Sequence, residues 1–398
     1  MHRSLRITFI VIFAIAALGI FAVAIFFPAF RDFAYAPLRE LILPPPKPVI
    51  VNIYYSTEKS DWFDGVIDDF YKAGNTVDGK PIELEMKKMG SREMYLAVLD
   101  GEQPDAISPA SSLQIAILQD LSEDKFGESI VKANQGDNCR SLVETPLVLV
   151  SWAERAQALW GAEPNSHLWQ KLHSALTDPQ GWASVNHPEW GYIKFGQTSP
   201  LSSNSGFMTI LLLTYDFYSK TSGLRAEDIL SNQEYQQWFL EFQGTISQFG
   251  NSTGTYMRDM VAYGPSTYDF VAVYEATAIE HMENASNRYG DLKVYYPPAT
   301  VMSDHPLCVL DAEWVTPQKA EAVQVFTDFL LSREAQETAL LDHGFRPVDT
   351  NIPLDQPGSP FLIYQGNGIQ VGIPAEVEIP PGNVLDTLLN FWSRNIQR

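Results

Sequence analysis

"VIVNIYYSTEKSDWFDGVIDDFY" (Val49–Tyr71) opens as a strand and closes as a helix. Val49–Tyr55 is β-branched and aromatic, too short for a helix, and reads as a strand buried within a sheet. It ends at Ser56-Thr57, after which Trp62, Phe63, Val66, Ile67, Phe70 and Tyr71 recur at helical spacing. The same alternation continues downstream. "PIELEMKKM" (Pro81–Met89) is a second strand ending at "GSRE", and a short helix follows through Met94, Val98 and Leu99. "PDAISPASS" (Pro104–Ser112) is a third short strand running into a hydroxyl-rich turn and helix. Strand, helix, strand, helix, strand predicts a parallel sheet with helical crossovers, hence an α/β fold.

Further along, "TPLVLVSW" (Thr145–Trp152) is another apolar strand, and Ala153 to Pro188 reads as Trp-rich and helical, broken near Asp178-Pro179 and His187-Pro188. "GYIKFG" predicts a strand leading into "QTSPLSSNSGFMTILLL", where small hydrogen-bonding groups stand directly before an apolar helix. "YDFVAVYEATAIEHM" is a strand turning into a helix around Glu275; "LKVYYPPA" and "LCVLDAEWV" are strands. Thr316-Pro317 reads as the cap and first residue of a helix, Ser332 restarts one that stops at Gly344, and Asn383 caps a last amphipathic helix.

Before Val49 the chain has a different character. Arg3 and Arg6 precede Ile7–Phe27, which carries no charge; those 21 residues would span roughly 31 Å as a helix, about one hydrocarbon core. The positive flank keeps the N-terminus cytoplasmic and places the remainder outside, which predicts a cell-membrane protein, single-pass, with its C-terminal part extracytoplasmic. The rival reading is a cleaved signal peptide and a secreted product; Ala34-Tyr35-Ala36 is the small-x-small site that follows the apolar run, and Pro37 comes after it. Residues 1–36 are thus the anchor or signal, and Pro37–Pro48, with three consecutive prolines, is an extended stalk.

The whole chain has 398 residues, 45% of them hydrophobic, and a net charge of −21. So acidic a protein is unsuited to nucleic acid or an anionic membrane surface, which need basic patches; no nucleic-acid partner is expected. Catalytic signatures are lacking: there is no G-x-S-x-G, H-E-x-x-H, P-loop or G-x-G-x-x-G after a strand. His281 reads as a solvent-facing helical residue. Asp304 and His305, adjacent on an extended chain, would point to opposite faces and make structural polar contacts. No catalytic residue, metal site or cofactor is expected.

Hydroxyls at strand ends are what the sequence offers instead. Ser56 and Thr57 follow the first strand, Ser91 the second, and Ser108, Ser111 and Ser112 the third; Ser202, Ser203, Asn204 and Ser205 precede the Phe207 helix. In parallel α/β sheets the carboxyl ends of strands form the ligand crevice. Each Ser alone could simply cap a helix, but three at successive strand ends favour binding.

In their order and spacing, "IYYSTEKS", "MKKMGSREMYLAVLDGEQPDAIS", "TPLVLVSW", "FGQTSPLSSNSG", "FVAVYEATAI", "YPPATVMSDHPLCVLD" and "FLLSREAQETALLDHGFRPV" resemble bacterial extracellular solute-binding proteins of the type II periplasmic-binding fold. The likeness, over Val49 to Val348, is to the class that includes molybdate-binding proteins, and closest to a branch with members fused to von Willebrand factor A domains. It implies a bilobed α/β architecture: two Rossmann-like lobes joined by two crossover strands, here "TPLVLV" and the region of "SDHPLCVL". Lobe 1 would comprise 49–144 and 303–398, and lobe 2 would be 145–302. Ser56, Thr57, Ser91 and Ser108 would hold ligand from the first lobe, and Ser203, Asn204, Ser205, Gly206 and Tyr274 from the second, with Gly206 letting the backbone approach closely. The ligand is left open between an oxyanion, a ferric ion on the Tyr295-Tyr296 pair, and an organic or sugar-like solute stacked on Trp62 or Tyr274. Because the crossovers run side by side in this fold, Cys139 and Cys308 are expected to form a disulfide. The function implied is non-catalytic capture of a small-molecule or oxyanion solute for an ABC-type transporter permease or a sensor protein. Alternatives are a surface module that recognises a protein, its cleft vestigial, and an enzyme on the same fold.

Overall fold

The computed structural model describes residues 8–19, 46–131, 136–161, 167–286 and 288–396. Of the expected membrane span, residues 8–19 are helical with Phe9 and Phe13 exposed; the rest of Ile7–Phe27, and the stalk up to residue 45, lie outside the described residues. Among the described residues no helix is long and apolar enough to cross a membrane. Residues 1–48 with Asp78–Pro81 form one compact unit, and the remainder of the chain forms the other.

The larger unit begins with β1 (Val49–Ser56), α1 (Ser60–Lys72), β2 (Lys80–Met89), α2 (Ser91–Leu99), β3 (Ala106–Ser108) and α3 (Ser112–Phe126). β1 lies between β2 and β3 and runs parallel to both, so its backbone is paired on both edges; Val51 and Ile53 are fully buried. α1 turns Trp62, Phe63, Val66 and Phe70 inward, as the helical spacing predicts. Next come β4 (Cys139–Ser141) and β5 (Val143–Trp152). The Trp-rich stretch forms two helices, Ala153–Trp160 and Leu168–Thr177, then a 3-10 turn, burying Trp160, Trp169 and Trp182.

Only β6 (Phe195–Gly196) of the "GYIKFG" segment is strand; Gly191 adopts a positive φ and Tyr192 is exposed, so pairing starts late. α4 (Asn204–Phe217) follows, with every residue from Asn204 to Tyr215 buried. Then come β7 (Phe270–Tyr274), α5 (Glu275–Ser286), β8 (Leu292–Tyr295), β9 (Met302–Ser303) and β10 (Pro306–Val309). α6 (Pro317–Leu330) starts where Thr316 accepts a hydrogen bond from the Lys319 amide, and α7 (Arg333–Leu341) where Ser332 accepts one from Ala335. After β11 (Arg346–Pro347) the chain ends in α8 (Gly382–Ile396), which begins at Gly382, so Asn383 is not its cap. The Asp120 carboxylate stands where a Cβ at residue 382 would go, which brings the helix start against α3.

In the first sheet β10 is antiparallel to β3 on one side and to β4 on the other. The main strands therefore run β2-β1-β3-β10-β4. Cys308 and Cys139 are register partners across the β10–β4 ladder, with Cα atoms 4.0 Å apart and the sulfurs bonded. In the second sheet β5 is the spine. Its first half pairs with β11 and β9, at Glu144↔Arg346 and Pro146↔Met302. Its second half lies between β7 and β8, and β6 adds a parallel edge to β7. β5 and β9, side by side, thus carry the chain from one sheet to the other.

The chain after Asn351 corrects the expected assignment of 303–398 to the first lobe. Lys293 Nζ donates to the Gly366 carbonyl and Asn367 Nδ2 to that of Leu292, so this segment lies along β8. α8 contacts α3 at Gly382 and also donates from Trp392 Nε1 to Gln243 Oε1, so it spans both lobes. Apolar spacing identifies a helix but not which of two cores it covers.

Candidate functional site

β1 and β3 end at Ser56 and Ser108, and the buried Lys59 side chain ties these ends together. Its Nζ donates to Ser56 Oγ (2.7 Å), the Ser108 carbonyl (3.0 Å) and the Pro109 carbonyl (3.1 Å). The fourth neighbour is Nδ1 of His305, at 3.2 Å, from the chain between β9 and β10. Burial pulls the Lys59 amine down to about 7, although Glu58 and Asp304 pull the other way. Burial, with Lys59 beside it, holds the His305 imidazole well below its usual value.

The second lobe contributes the start of α4 and the end of β7. Asn204 Nδ2 donates to the Tyr274 hydroxyl (3.0 Å), and the Tyr274 and His305 rings meet edge-on at 6.0 Å. Between the lobes, Gln114 Nε2 on α3 donates to Asn204 Oδ1 over 2.7 Å. A Cβ on Gly90, at the end of β2, would lie 2.7 Å from the Ser202 carbonyl, so the lobes touch there as well. Burial raises the Tyr274 phenol well above its usual value and keeps it a neutral hydrogen-bonding group.

Ser56, Ser108, Asn204 and Tyr274 are therefore joined through Lys59, His305 and Gln114. Ser91 is next to them, its Oγ accepting from the Ala110 amide (3.0 Å). Thr57 is half-buried and opens a 3-10 turn. Ser203 and Ser205 belong to a separate knot: Ser205 Oγ lies 2.8 Å from Thr198 Oγ1 and 2.7 Å from Thr253 Oγ1, and Ser203 Oγ is 3.3 Å from Ser205. Gly206 makes a close approach, but to protein. A Cβ there would lie 2.2 Å from the Thr198 carbonyl, so the side expected to face a ligand is filled by backbone.

Other expectations are corrected. Trp62 cannot stack on a solute: it is 1% exposed, and its Nε1 donates to the Ala335 carbonyl within the core formed by α1 and α7. Tyr295 and Tyr296 diverge as strand neighbours do. Tyr295 packs on Trp160, while Tyr296 donates to Glu275, so the pair does not converge on a ferric ion. His281 is half-buried, and burial lowers its imidazole. Asp304 accepts from the Ser112 amide and Ser141 Oγ, as a structural group would, but His305 has φ 42°, so this chain is not extended.

The sequence reading passed over Lys59, Gln114, Thr198 and Thr253. Two signals were available. A lysine at the start of a helix opposes the helix dipole, and Gln114 interrupts the apolar run Leu113–Leu118.

Residues 51–346 match the model of a family described as bacterial extracellular solute-binding protein. Solved structures agree at the level of the fold. A periplasmic thiamin binding protein aligns with a TM-score of 0.61 at 11% identity, over 89% of this chain and 100% of that one. The periplasmic binding protein AfuA from Actinobacillus pleuropneumoniae, with fructose-6-phosphate bound, aligns at 0.55 and 15%, over 87% and 98%. Iron-bound HitA from Pseudomonas aeruginosa aligns at 0.55 and 13%, over 88% and 100%. No curated protein matches the chain by sequence comparison. The match covers most of the chain, and the chain belongs to the family of bacterial extracellular solute-binding proteins.

Proposed function

We propose that this protein is a membrane-tethered, extracytoplasmic receptor that captures a small solute between its lobes and presents it to an ABC-type permease or a sensor protein. The observation that carries the reading is the bond from Gln114 to Asn204, continued to Tyr274, which places polar groups of both lobes at the ends of the strands. Ligands of parallel α/β proteins sit at such ends, and two lobes that meet through polar side chains can close on one. The tether rests on Arg3 and Arg6 before the uncharged Ile7–Phe27. A second reading, a protein-recognition module with a vestigial cleft, draws on the Ser203–Ser205–Thr198–Thr253 knot, whose hydroxyls satisfy one another.

Native mass spectrometry of the purified full-length protein should find a solute that leaves on denaturation. Asn204→Ala should weaken its binding by roughly 1–3 kcal/mol, the range for hydrogen bonds lost at a desolvated site. Unchanged affinity with a lowered melting temperature would mean this residue only completes a helix start. Stabilisation by a purified protein and by no small molecule would favour the second reading.

A further inference from the structure

Four buried side-chain atoms in this cluster have no hydrogen-bond partner among the described residues: Glu58 Oε2, Ser108 Oγ, Gln114 Oε1 and His305 Nε2. Ser108, Gln114 and His305 are at most 2% exposed. An unpaired polar atom in such a place is costly unless something else satisfies it.

The chemistry these atoms offer follows from the direction of the bonds around them. Ser303 Oγ donates to the Ala110 carbonyl, which can only accept, so that hydroxyl proton is used. The Tyr274 hydroxyl oxygen accepts from Asn204 Nδ2. Asn204 Nδ2 also lies 2.9 Å from Met208 Sδ, a weak acceptor, which agrees with nitrogen on that side. Asn204 Oδ1 is thereby turned to Gln114 and takes its Nε2, which leaves Gln114 Oε1 as an acceptor with nothing to accept. Glu58 Oε2 is a carboxylate oxygen and also only accepts. At His305, Nδ1 faces Lys59 Nζ at 3.2 Å and Nε2 has no partner, so this ring can give or take according to its tautomer.

We propose that the solute is a hydrogen-bond donor, a small primary amine or polyol, and not an oxyanion. Its N–H or O–H groups meet Glu58 and Gln114, with Ser108 and His305 free to give or take. An oxyanion would instead face a carboxylate and an amide carbonyl, while the Lys59 protons are already engaged. The first N–H groups of α4 would suit an anion, and the test includes that arm. The proposal rests on the solute-binding reading of the cleft.

Full-length protein in detergent is titrated, by melting temperature and tryptophan fluorescence, with putrescine, ethanolamine, glucose and sorbitol on one side and sulfate, phosphate and molybdate on the other. The expected result is saturable binding of a donor solute, weakened at least tenfold by Glu58→Gln, with that variant melting near the parent temperature without solute. Saturable binding of an oxyanion that Asn204→Ala weakens and Glu58→Gln strengthens would overturn the proposal and leave the cleft as the site. Absence of binding in both series would overturn the proposal and the solute-binding reading together.

Discussion

Lys59 is a cation buried under two strand ends, and its cost depends on pH. In the unfolded chain the amine keeps its proton to about pH 10.4, whereas in the folded protein it releases it near 7. Between those values the unfolded state binds more protons, so stability from this group rises with pH, by roughly 1.4 kcal/mol per unit at most. Below about pH 6 both states are protonated and the contribution is flat. Urea denaturation of the parent and Lys59→Met from pH 5 to 9 should show the parent gaining on the variant only above neutrality. Parallel curves would mean that the amine keeps its charge when buried. Gly206 gives a second test at this scale. With a Cβ position 2.2 Å from the Thr198 carbonyl, Gly206→Ala must push α4 off the 198–199 backbone, and should cost roughly 1–3 kcal/mol in denaturant titrations.

Among the elements, β11 depends on one ion pair. Arg346 Nε and Nη2 donate to the two carboxylate oxygens of Glu275 at 2.7 and 2.8 Å, while Nη1 donates to the Val371 carbonyl and Nη2 also to that of Gln370. Arg346→Met would leave Glu275 buried without its counter-charge at the start of α5. The expected loss is about 3–5 kcal/mol, read from the urea midpoint, and a loss below 1 kcal/mol would show that Glu275 is neutral in the fold. The elements were largely legible in the sequence, because β1, α1 and α4 announce themselves by apolar period and by hydroxyls at their ends. Partners were not. That Ser203 and Ser205 turn to Thr253, or that Trp62 faces α7, depends on contacts far apart in the chain, which no local period encodes. The strand ends likewise told where polar groups gather, but Lys59 and Gln114, which connect them, looked like ordinary surface and helix residues.

For the whole molecule, the Cys139–Cys308 bond joins strands 169 residues apart in sequence, next to the crossover strands. Titration of the denatured, unreduced protein should find no free thiol, and reduction should lower stability by about 2–5 kcal/mol. Two reactive thiols per chain would remove the bridge from the account. The strand that carries Cys308 has another consequence. β10 lies inside the first sheet, between β3 and β4, yet it is formed by residues 306–309. A chain emerging N-terminus first can complete β1, β2 and β3 early, but the open side of β3 must wait until β5 to β9 have been made. Through that stretch of synthesis the molecule carries an unpaired strand edge, the kind of surface on which nascent chains aggregate.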